Sequence, residues 1–293
     1  MQKNRRNASG ALRALLTLSA TTALLAATSH FAAPHAHADF VYGLNSTASK
    51  GIYQIDTATG ATTLVASTPS LTASGASGNG LAFDATTNAF YYIRRVGSTN
   101  YFMRNALTGS GGVETTLGVL TVNQQYLSGT FYNGSYWAIP NGASNTILRC
   151  TPLGSTFTNV TLPTAFPAGA GFGDIASTST GITYVSTTGV AGLRRFNLNT
   201  LGVAPAIVSM STSGFQLAFG NTGLFGVQGT NVYSINTITG ARVFTATVTT
   251  PGIGFNDLAS IPAPGALPLA GLVALIGRHG RLGGRGCWGR RRS

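Results

Sequence analysis

Side chains capable of acid–base or metal chemistry are scarce in this sequence. The chain of 293 residues has six acidic residues, four histidines and two cysteines. Every acid lies between residues 39 and 262, and every histidine lies outside that range. The six acids are Asp39, Asp56, Asp84, Glu114, Asp174 and Asp257. Chemistry within 39–262 would therefore depend mainly on carboxylates.

This inventory excludes several classes of site. A hydrolytic triad needs a base, usually His, beside its nucleophile, and 39–262 has none. Cys150 is the only cysteine there, so neither a disulfide framework nor a zinc site can be built, and we expect a buried strand residue. Glycoside hydrolysis needs two convergent carboxylates. Glu114 falls near a predicted outermost strand, which leaves only aspartates for that reaction.

Two aspartates have matching surroundings. Asp174 lies in the segment GFGDIAS (residues 171–177), and Asp257 lies in GFNDLAS (residues 254–260). Each comes directly before a short strand of small residues. Three similar strands follow Gly80, Ser128 and Gln216. If the five strands line one channel, these five residues form a ring at one of its mouths.

The ring predicts a candidate site with two readings. Two carboxylates that face a narrow axis resist ionising together unless a cation or a donor lies between them. Asp174, Asp257, Gln216 and Ser128 could supply part of the six to eight oxygen ligands of Ca²⁺, or could bind sugar hydroxyls. The alternative is that these side chains only hydrogen-bond the local backbone in Asx-type turns.

A repeated segment indicates the fold that would position this ring. YQIDTATGA at residues 53–61 returns as YSINTITGA at 233–241, which is 180 residues, or four steps of 45, further along. Weaker copies occur at 105–109, 150–154 and 197–202. A period near 45 residues is typical of propeller blades of four short strands. The sequence therefore predicts an all-β, five-bladed β-propeller of four-stranded antiparallel blades.

The order of the strands predicts how the ring closes. Each unit contains strands a to d, of which strand a is the innermost. The chain begins with a strand of type b at residue 40 and ends with an additional strand a at 258–260. We expect that last strand to join the first blade, because closure would remove two exposed sheet edges. The propeller domain is predicted to cover residues 39–262.

Residues 1–38 have the pattern of a secretory signal peptide. A basic start is followed by an apolar run that is rich in Leu and Ala, and Ala36-His37-Ala38 forms a small-residue cleavage site before Asp39. Cleavage by signal peptidase is expected between Ala38 and Asp39.

Residues 263–293 form a separate tail. Pro262 and Pro264 precede an apolar run at 266–277, and arginines fill positions 290–292. This arrangement resembles the PEP-CTERM sorting tail of proteins exported by Gram-negative bacteria, which implies processing by an exosortase. Ala263 stands where that family usually has Glu. The apolar run of 12 residues is shorter than the roughly 20 that span a bilayer, so we expect transient or C-terminal membrane association.

The net charge of +12 is located mainly at the two ends of the chain. Residues 39–262 include eight basic and six acidic residues, so the net charge of this range is about +2. A basic surface for nucleic acid is therefore not predicted.

These observations favour an exported, non-enzymatic propeller at the cell surface or in the extracellular matrix. Its partner would be a polysaccharide or another surface protein. One alternative is a carbohydrate-active enzyme that uses the aspartates of the channel mouth, and another is a structural protein without a specific ligand. A glycan array separates binding from a structural role, and turnover of polysaccharides tests for an enzyme.

Overall fold

Short runs rich in Val, Ile, Thr, Tyr and Phe, separated by Gly, Asn and Ser, favour strands over helices. The computed structural model describes residues 39–47, 49–108, 111–120, 125–140, 145–151, 156–163, 171–188, 192–202, 214–250 and 252–261. Those residues contain nineteen β-strands and one 3-10 helix, Pro69–Thr72. The predicted signal peptide and the predicted tail after Ile261 lie outside the described residues.

The strands form five antiparallel sheets, one for each blade. Blade 1 contains β1 (Phe40–Asn45), β2 (Gly51–Asp56) and β3 (Thr62–Ser67), and blade 2 contains β4 (Ala76–Asp84), β5 (Ala89–Val96), β6 (Thr99–Thr108) and β7 (Gly111–Leu120). Blade 3 contains β8 (Tyr126–Tyr132), β9 (Ser135–Pro140), β10 (Thr146–Thr151) and β11 (Thr156–Thr161). Blade 4 contains β12 (Gly171–Ser177), β13 (Ile182–Thr188) and β14 (Gly192–Asn197). Blade 5 contains β15 (Gln216–Phe219), β16 (Leu224–Gln228), β17 (Asn231–Ile235) and β18 (Arg242–Thr247), and β19 (Asp257–Ala259) ends the described chain.

The predicted five-bladed propeller is confirmed, including its closure. β19 pairs with β1, so that blade 1 has the order β19-β1-β2-β3. Tyr42 lies opposite Ala259, and Leu44 lies opposite Asp257. Blade 4 shows three strands among the described residues, and residues 203–213, which follow the third of them, lie outside that part of the chain.

The repeated turn has the same geometry in its two best copies. The side-chain oxygens of Asp56 and Asn236 each accept the backbone N–H groups two and three residues later, at 2.9–3.0 Å. The turns then end at Gly60 and Gly240, with φ of 72° and 68°. Positive φ suits glycine, which explains why the Thr-x-Thr-Gly pattern recurs.

Aromatic pairs fill the spaces between blades. Rings on the second strand of one blade pack against phenylalanines that end the innermost strand of the next. Centroid distances are 5.1–5.7 Å for the pairs Tyr42–Phe83, Tyr91–Phe131 and Tyr184–Phe219. Such pairs stabilise beyond their buried area. The repeat in sequence therefore produces a repeated interface between neighbouring blades.

The first described residue forms a second closure. Asp39 is buried, and its carboxylate accepts the backbone N–H groups of Asn221 at 2.5 Å and Thr222 at 2.8 Å, together with the Thr222 hydroxyl. These residues belong to the turn between β15 and β16. The start of blade 1 is thus bonded to blade 5 at a site separate from the β1–β19 pairing.

Two further expectations concern Cys150 and the membrane. Cys150 is buried in a strand, as predicted, and burial raises the pKa of its thiol to about 12. In the part of the chain that the structure describes, no helix has the length and apolarity needed to cross a membrane.

Truncation tests the closure. We expect deletion of residues 254–293 to abolish the cooperative unfolding transition, because it exposes the edge of β1 that pairs with β19 and removes Phe255 and Leu258 from the core. Deletion of 266–293 should leave the melting temperature unchanged. Thermal melts followed by circular dichroism provide the measurement. Equal melting temperatures for the two truncations would contradict closure by β19.

Candidate functional site

The five innermost strands surround a narrow axis. Three consecutive residues at or near the end of each innermost strand form what we call its triad: residues 81–83, 129–131, 175–177, 217–219 and 258–260. The ring residues predicted from the sequence lie directly before these triads, and β4, β8 and β12 each have a bulge in that region. Bulges redirect side chains at such positions. Asp174 and Asp257 both have 0% of their surface exposed. The two carboxyl groups are therefore buried at this end of the axis rather than open to solvent.

Asp257 joins blade 1 to blade 2. Its Oδ2 accepts the backbone N–H of Leu81, the first residue of the β4 triad, at 2.6 Å. Its Oδ1 accepts the N–H of Leu258 at 3.0 Å. The bond to Leu258 is local, as expected if the aspartate only stabilises its own turn. The bond to Leu81 instead crosses to the neighbouring blade.

Asp174 connects three blades in the same way. Its Oδ1 accepts the adjacent N–H of Ile175 at 2.6 Å. Its Oδ2 accepts the N–H of Leu217 in blade 5 at 2.8 Å and that of Leu258 in blade 1 at 3.2 Å. Because blades 4 and 1 are not neighbours in the ring, the second bond crosses the axis. The two aspartates together join the innermost strands of blades 4, 5, 1 and 2.

The two carboxyl groups lie close enough for one to donate a hydrogen bond to the other when it is protonated. Burial is the largest cause that raises both pKa values, and it moves that of Asp257 from 3.8 to about 7. The charge of Asp257 raises the pKa of Asp174 further, and the bond between them favours the protonated form of Asp174. Asp174 and Asp257 therefore titrate as a coupled pair that keeps at least one proton at neutral pH.

Ser128 and Gln216 occupy the same layer but are not bonded to the pair. Ser128 is fully buried, and its Oγ has no hydrogen-bond partner among the described residues. The same is true of the Oε1 of Gln216. The fifth ring position, Gly80, uses its carbonyl oxygen to accept the hydroxyl of Tyr136 at 2.6 Å. The structure thus brings the two aspartates together and leaves two unsatisfied oxygens nearby in the ring.

The carboxyl oxygens of Asp174 and Asp257 suit a proton better than a hard cation. Ca²⁺ requires six to eight oxygen ligands, whereas every carboxyl oxygen of the pair accepts at least one backbone N–H. Within the described ranges, no group of three or more His, Cys, Asp or Glu side chains could hold a metal ion. Ca²⁺ binding by the pair remains a prediction.

A large cavity opens at the opposite ends of the innermost strands. It has a volume of about 710 Å³ and is lined by all five blades. Its lining consists of the innermost strand ends and the turns that follow them, at residues 81–86, 129–134, 177–179, 219–223 and 260–261. We call this cavity the funnel.

Aromatic and hydroxyl groups form the wall of the funnel. The last position of each innermost triad is Phe in blades 2, 3 and 5, and Ser in blades 4 and 1; these residues are Phe83, Phe131, Phe219, Ser177 and Ser260. The single acid in the lining is Asp84, and its carboxylate is bonded within its own turn to the N–H of Thr86 at 2.9 Å and the hydroxyl of Thr87 at 2.6 Å.

Sequence reasoning missed the funnel because it considered only the starts of the innermost strands. A usable signal was present, since the third residue of each triad is either Phe or Ser. A set of aromatic residues at equivalent positions beside the axis could have predicted a lined opening.

Comparison with known proteins gives the fold alone. No protein-family model matches the sequence, and no curated protein matches it. The nidogen/laminin complex is similar at 13% identity over 78% of this chain and 82% of that chain, with a TM-score of 0.46. YCF48 bound to D1 peptide matches at 16% identity over 58% of this chain, with a TM-score of 0.40. This chain spans 55% of the length of that structure. An inactive virginiamycin B lyase from Staphylococcus aureus matches at 11% identity over 74% and 73% of the two chains, with a TM-score of 0.43.

The carboxyl pair predicts a dependence of stability on pH. Because both folded-state pKa values are raised, the folded protein holds a proton that the unfolded chain releases above pH 3.8. The part of this stabilisation that comes from Asp257 is complete below that pH and is lost as the pH rises through about 7. In Asp257→Asn, the amide donates to Asp174 without titrating. We expect the unfolding free energy of this variant to depend less steeply on pH between pH 5 and 7. The loss of one titrating proton lowers that slope by up to about 1.4 kcal/mol per pH unit.

Urea denaturation at several pH values measures this slope. Asp257→Ala is the matched control, because it also removes the acceptor for the N–H of Leu81. It should lose about 1–3 kcal/mol even at pH 5, where Asp257→Asn should stay close to wild type. Parallel pH profiles for wild type and Asp257→Asn would contradict a shared proton.

Proposed function

We propose that this protein is a non-enzymatic binding propeller whose funnel takes an uncharged, polar ligand of the saccharide class. The single observation that carries the proposal is the 710 Å³ cavity lined by all five blades. This volume falls in the usual range for small-molecule sites, which are concave and lined by apolar groups with a few polar ones. Innermost strands that converge on one opening place all of these groups around a single ligand.

The chemistry of the wall supports an uncharged ligand. Partly exposed phenyl rings at Phe83, Phe131 and Phe219 offer apolar faces to the C–H side of a sugar ring. Hydroxyl and amide groups on Ser179, Asn133 and other turn residues can bond its hydroxyls. Among the described residues that line the funnel, none is basic, and the one acidic residue is bonded within its turn.

The enzymatic alternative has weaker support. A glycosidase needs one carboxyl group as acid and a second as nucleophile or base, and both must reach the glycosidic bond. Asp174 and Asp257 have no exposed surface, and their oxygens accept backbone N–H groups. Asp84, the acid in the funnel lining, has no second carboxylate beside it there.

We also propose export to the cell surface or extracellular space of a Gram-negative bacterium. The support is the basic start, the apolar run and the Ala36-His37-Ala38 site, together with the tail that resembles a PEP-CTERM signal. We expect the mature protein to begin at Asp39 and to lack most residues after Pro264. Intact mass of the secreted protein measures both ends, and a secreted form that retains Cys287 would contradict processing by an exosortase.

A bulky side chain at the funnel mouth tests the binding function. Ser179 is exposed and lines the funnel, so Ser179→Trp should obstruct it. We expect neutral oligosaccharides that score on a glycan array to bind wild type and to lose about tenfold or more in affinity in Ser179→Trp, measured by calorimetry.

The matched control is Ser98→Trp, in an exposed turn outside the funnel. It should bind as wild type does. If no neutral glycan binds wild type, or if both tryptophan variants lose affinity equally, the funnel is not a saccharide site. Release of reducing sugar by wild type would favour the enzymatic alternative.

A further inference from the structure

The cross-strand register places an arginine at the same position in three consecutive blades. Arg104 lies opposite Tyr91, Arg149 opposite Trp137, and Arg195 opposite Tyr184. The three aromatic residues are themselves equivalent, because each lies opposite the middle residue of the triad in its innermost strand. The corresponding residues are Gln54 in blade 1 and Ser234 in blade 5. We call Arg104, Arg149 and Arg195 the arginine arc.

Each arginine of the arc lies on the face of its blade that packs against the following blade, towards the outside of the ring. Directly opposed residues of an antiparallel pair share one face of the sheet. Tyr91 and Tyr184 pack against phenylalanines of the following blade, so the arginine opposite each of them faces that blade as well. Arg149 and Arg195 are exposed, and Arg104 is partly exposed. Each arginine therefore presents its charge at the outer edge of a groove.

An aromatic neighbour holds one of these side chains, that of Arg149, in place. The guanidinium of Arg149 lies 5.3 Å from the centre of the Trp137 ring, and its Nε donates to the hydroxyl of Ser135 at 3.1 Å. A guanidinium stacked on an aromatic face keeps its remaining N–H donors available to a ligand. Exposed threonines lie opposite Arg104 and Arg149 on the outermost strands, at Thr115 and Thr158. They add hydroxyl groups on the same face.

The acids of the domain do not neutralise the arc. Asp174 and Asp257 bond to each other, and Asp39, Asp56 and Asp84 accept from amide and hydroxyl groups of turns. Glu114, on the outermost strand of blade 2, accepts from the N–H and hydroxyl of Ser70 and from the hydroxyl of Tyr92. All six carboxyl groups are thus engaged by groups other than arginine.

We propose that the arginine arc binds an acidic polysaccharide along the outer edge of blades 2, 3 and 4. The planar guanidinium matches a carboxylate with two parallel N–H donors. One cation in each blade suits an extended polymer that carries acidic groups at intervals. This site is separate from the funnel, so it extends the proposed function without depending on it.

The charge density argues against nucleic acid as the partner. Duplex DNA carries one charge for about every 1.7 Å of its axis, and its binding proteins usually present clustered basic residues. The domain carries a charge of only about +2, spread as single arginines over separate blades. Widely spaced uronate groups are the better match.

Binding of polygalacturonate to the purified full-length protein tests the arc. The variant Arg104→Gln/Arg149→Gln/Arg195→Gln introduces the residue that blade 1 has naturally at this position. We expect its dissociation constant for polygalacturonate at low salt, measured by calorimetry, to rise about tenfold or more, since exposed ion pairs are individually weak but add up. Methyl-esterified polygalacturonate, which lacks the charge, should bind neither protein through this surface.

The matched control is Lys50→Gln/Arg95→Gln/Arg242→Gln, which removes the same charge outside the arc and leaves the basic ends unchanged. It should bind polygalacturonate as wild type does. The double variant Arg104→Gln/Arg195→Gln keeps the stacked Arg149 and should show an intermediate loss even if the triple variant is destabilised. Equal losses in the two triple variants, no binding by wild type, or tighter arc-dependent binding of duplex DNA would each overturn the proposal.

Discussion

Closure of five sheets around one narrow axis depends on two carboxyl groups buried between the innermost strands. The first N–H groups of these strands point towards the axis, where water has little access, and buried N–H groups need acceptors. Asp174 and Asp257 supply acceptors for Leu217, Leu258 and Leu81 in three different blades. Two charges so close would repel in a buried site, and a shared proton removes that cost. The ring is thereby held at its centre as well as at the β1–β19 pairing.

The two ends of the axis consequently have different properties. At the end with the carboxyl pair, glycine, serine and aspartate allow the strands to approach closely, and the side chains bond across blades. At the other end, the phenylalanines diverge onto the aromatic rings of the preceding blades and leave the funnel. A rigid closed end and an open lined end are what a preorganised binding site requires, because little ordering remains to be done when the ligand binds.

The sequence allowed the fold and the layer of the two aspartates to be predicted, because the repeat fixes the register of the blades. The matching surroundings of Asp174 and Asp257 placed them at equivalent strand starts. Their mutual bond and complete burial could not be predicted, because the distance across the axis depends on blade tilt and packing. The funnel could have been predicted from the positions of Phe83, Phe131 and Phe219. The arginine arc could not, because it depends on the register between the second and third strands of three separate blades.

The most direct test of this account is the protonation state of the carboxyl pair. Infrared difference spectroscopy of wild type, Asp174→Asn and Asp257→Asn at pH 8, above the pKa of about 7 of Asp257, detects the C=O stretch of a protonated carboxylic acid and its shift in D₂O. The account predicts one protonated carboxyl band in wild type that both variants lose or shift, and that Ca²⁺ does not change. Two ionised carboxylates in wild type, or loss of the band on addition of Ca²⁺, would contradict a shared proton and would favour a cation at the centre of the ring.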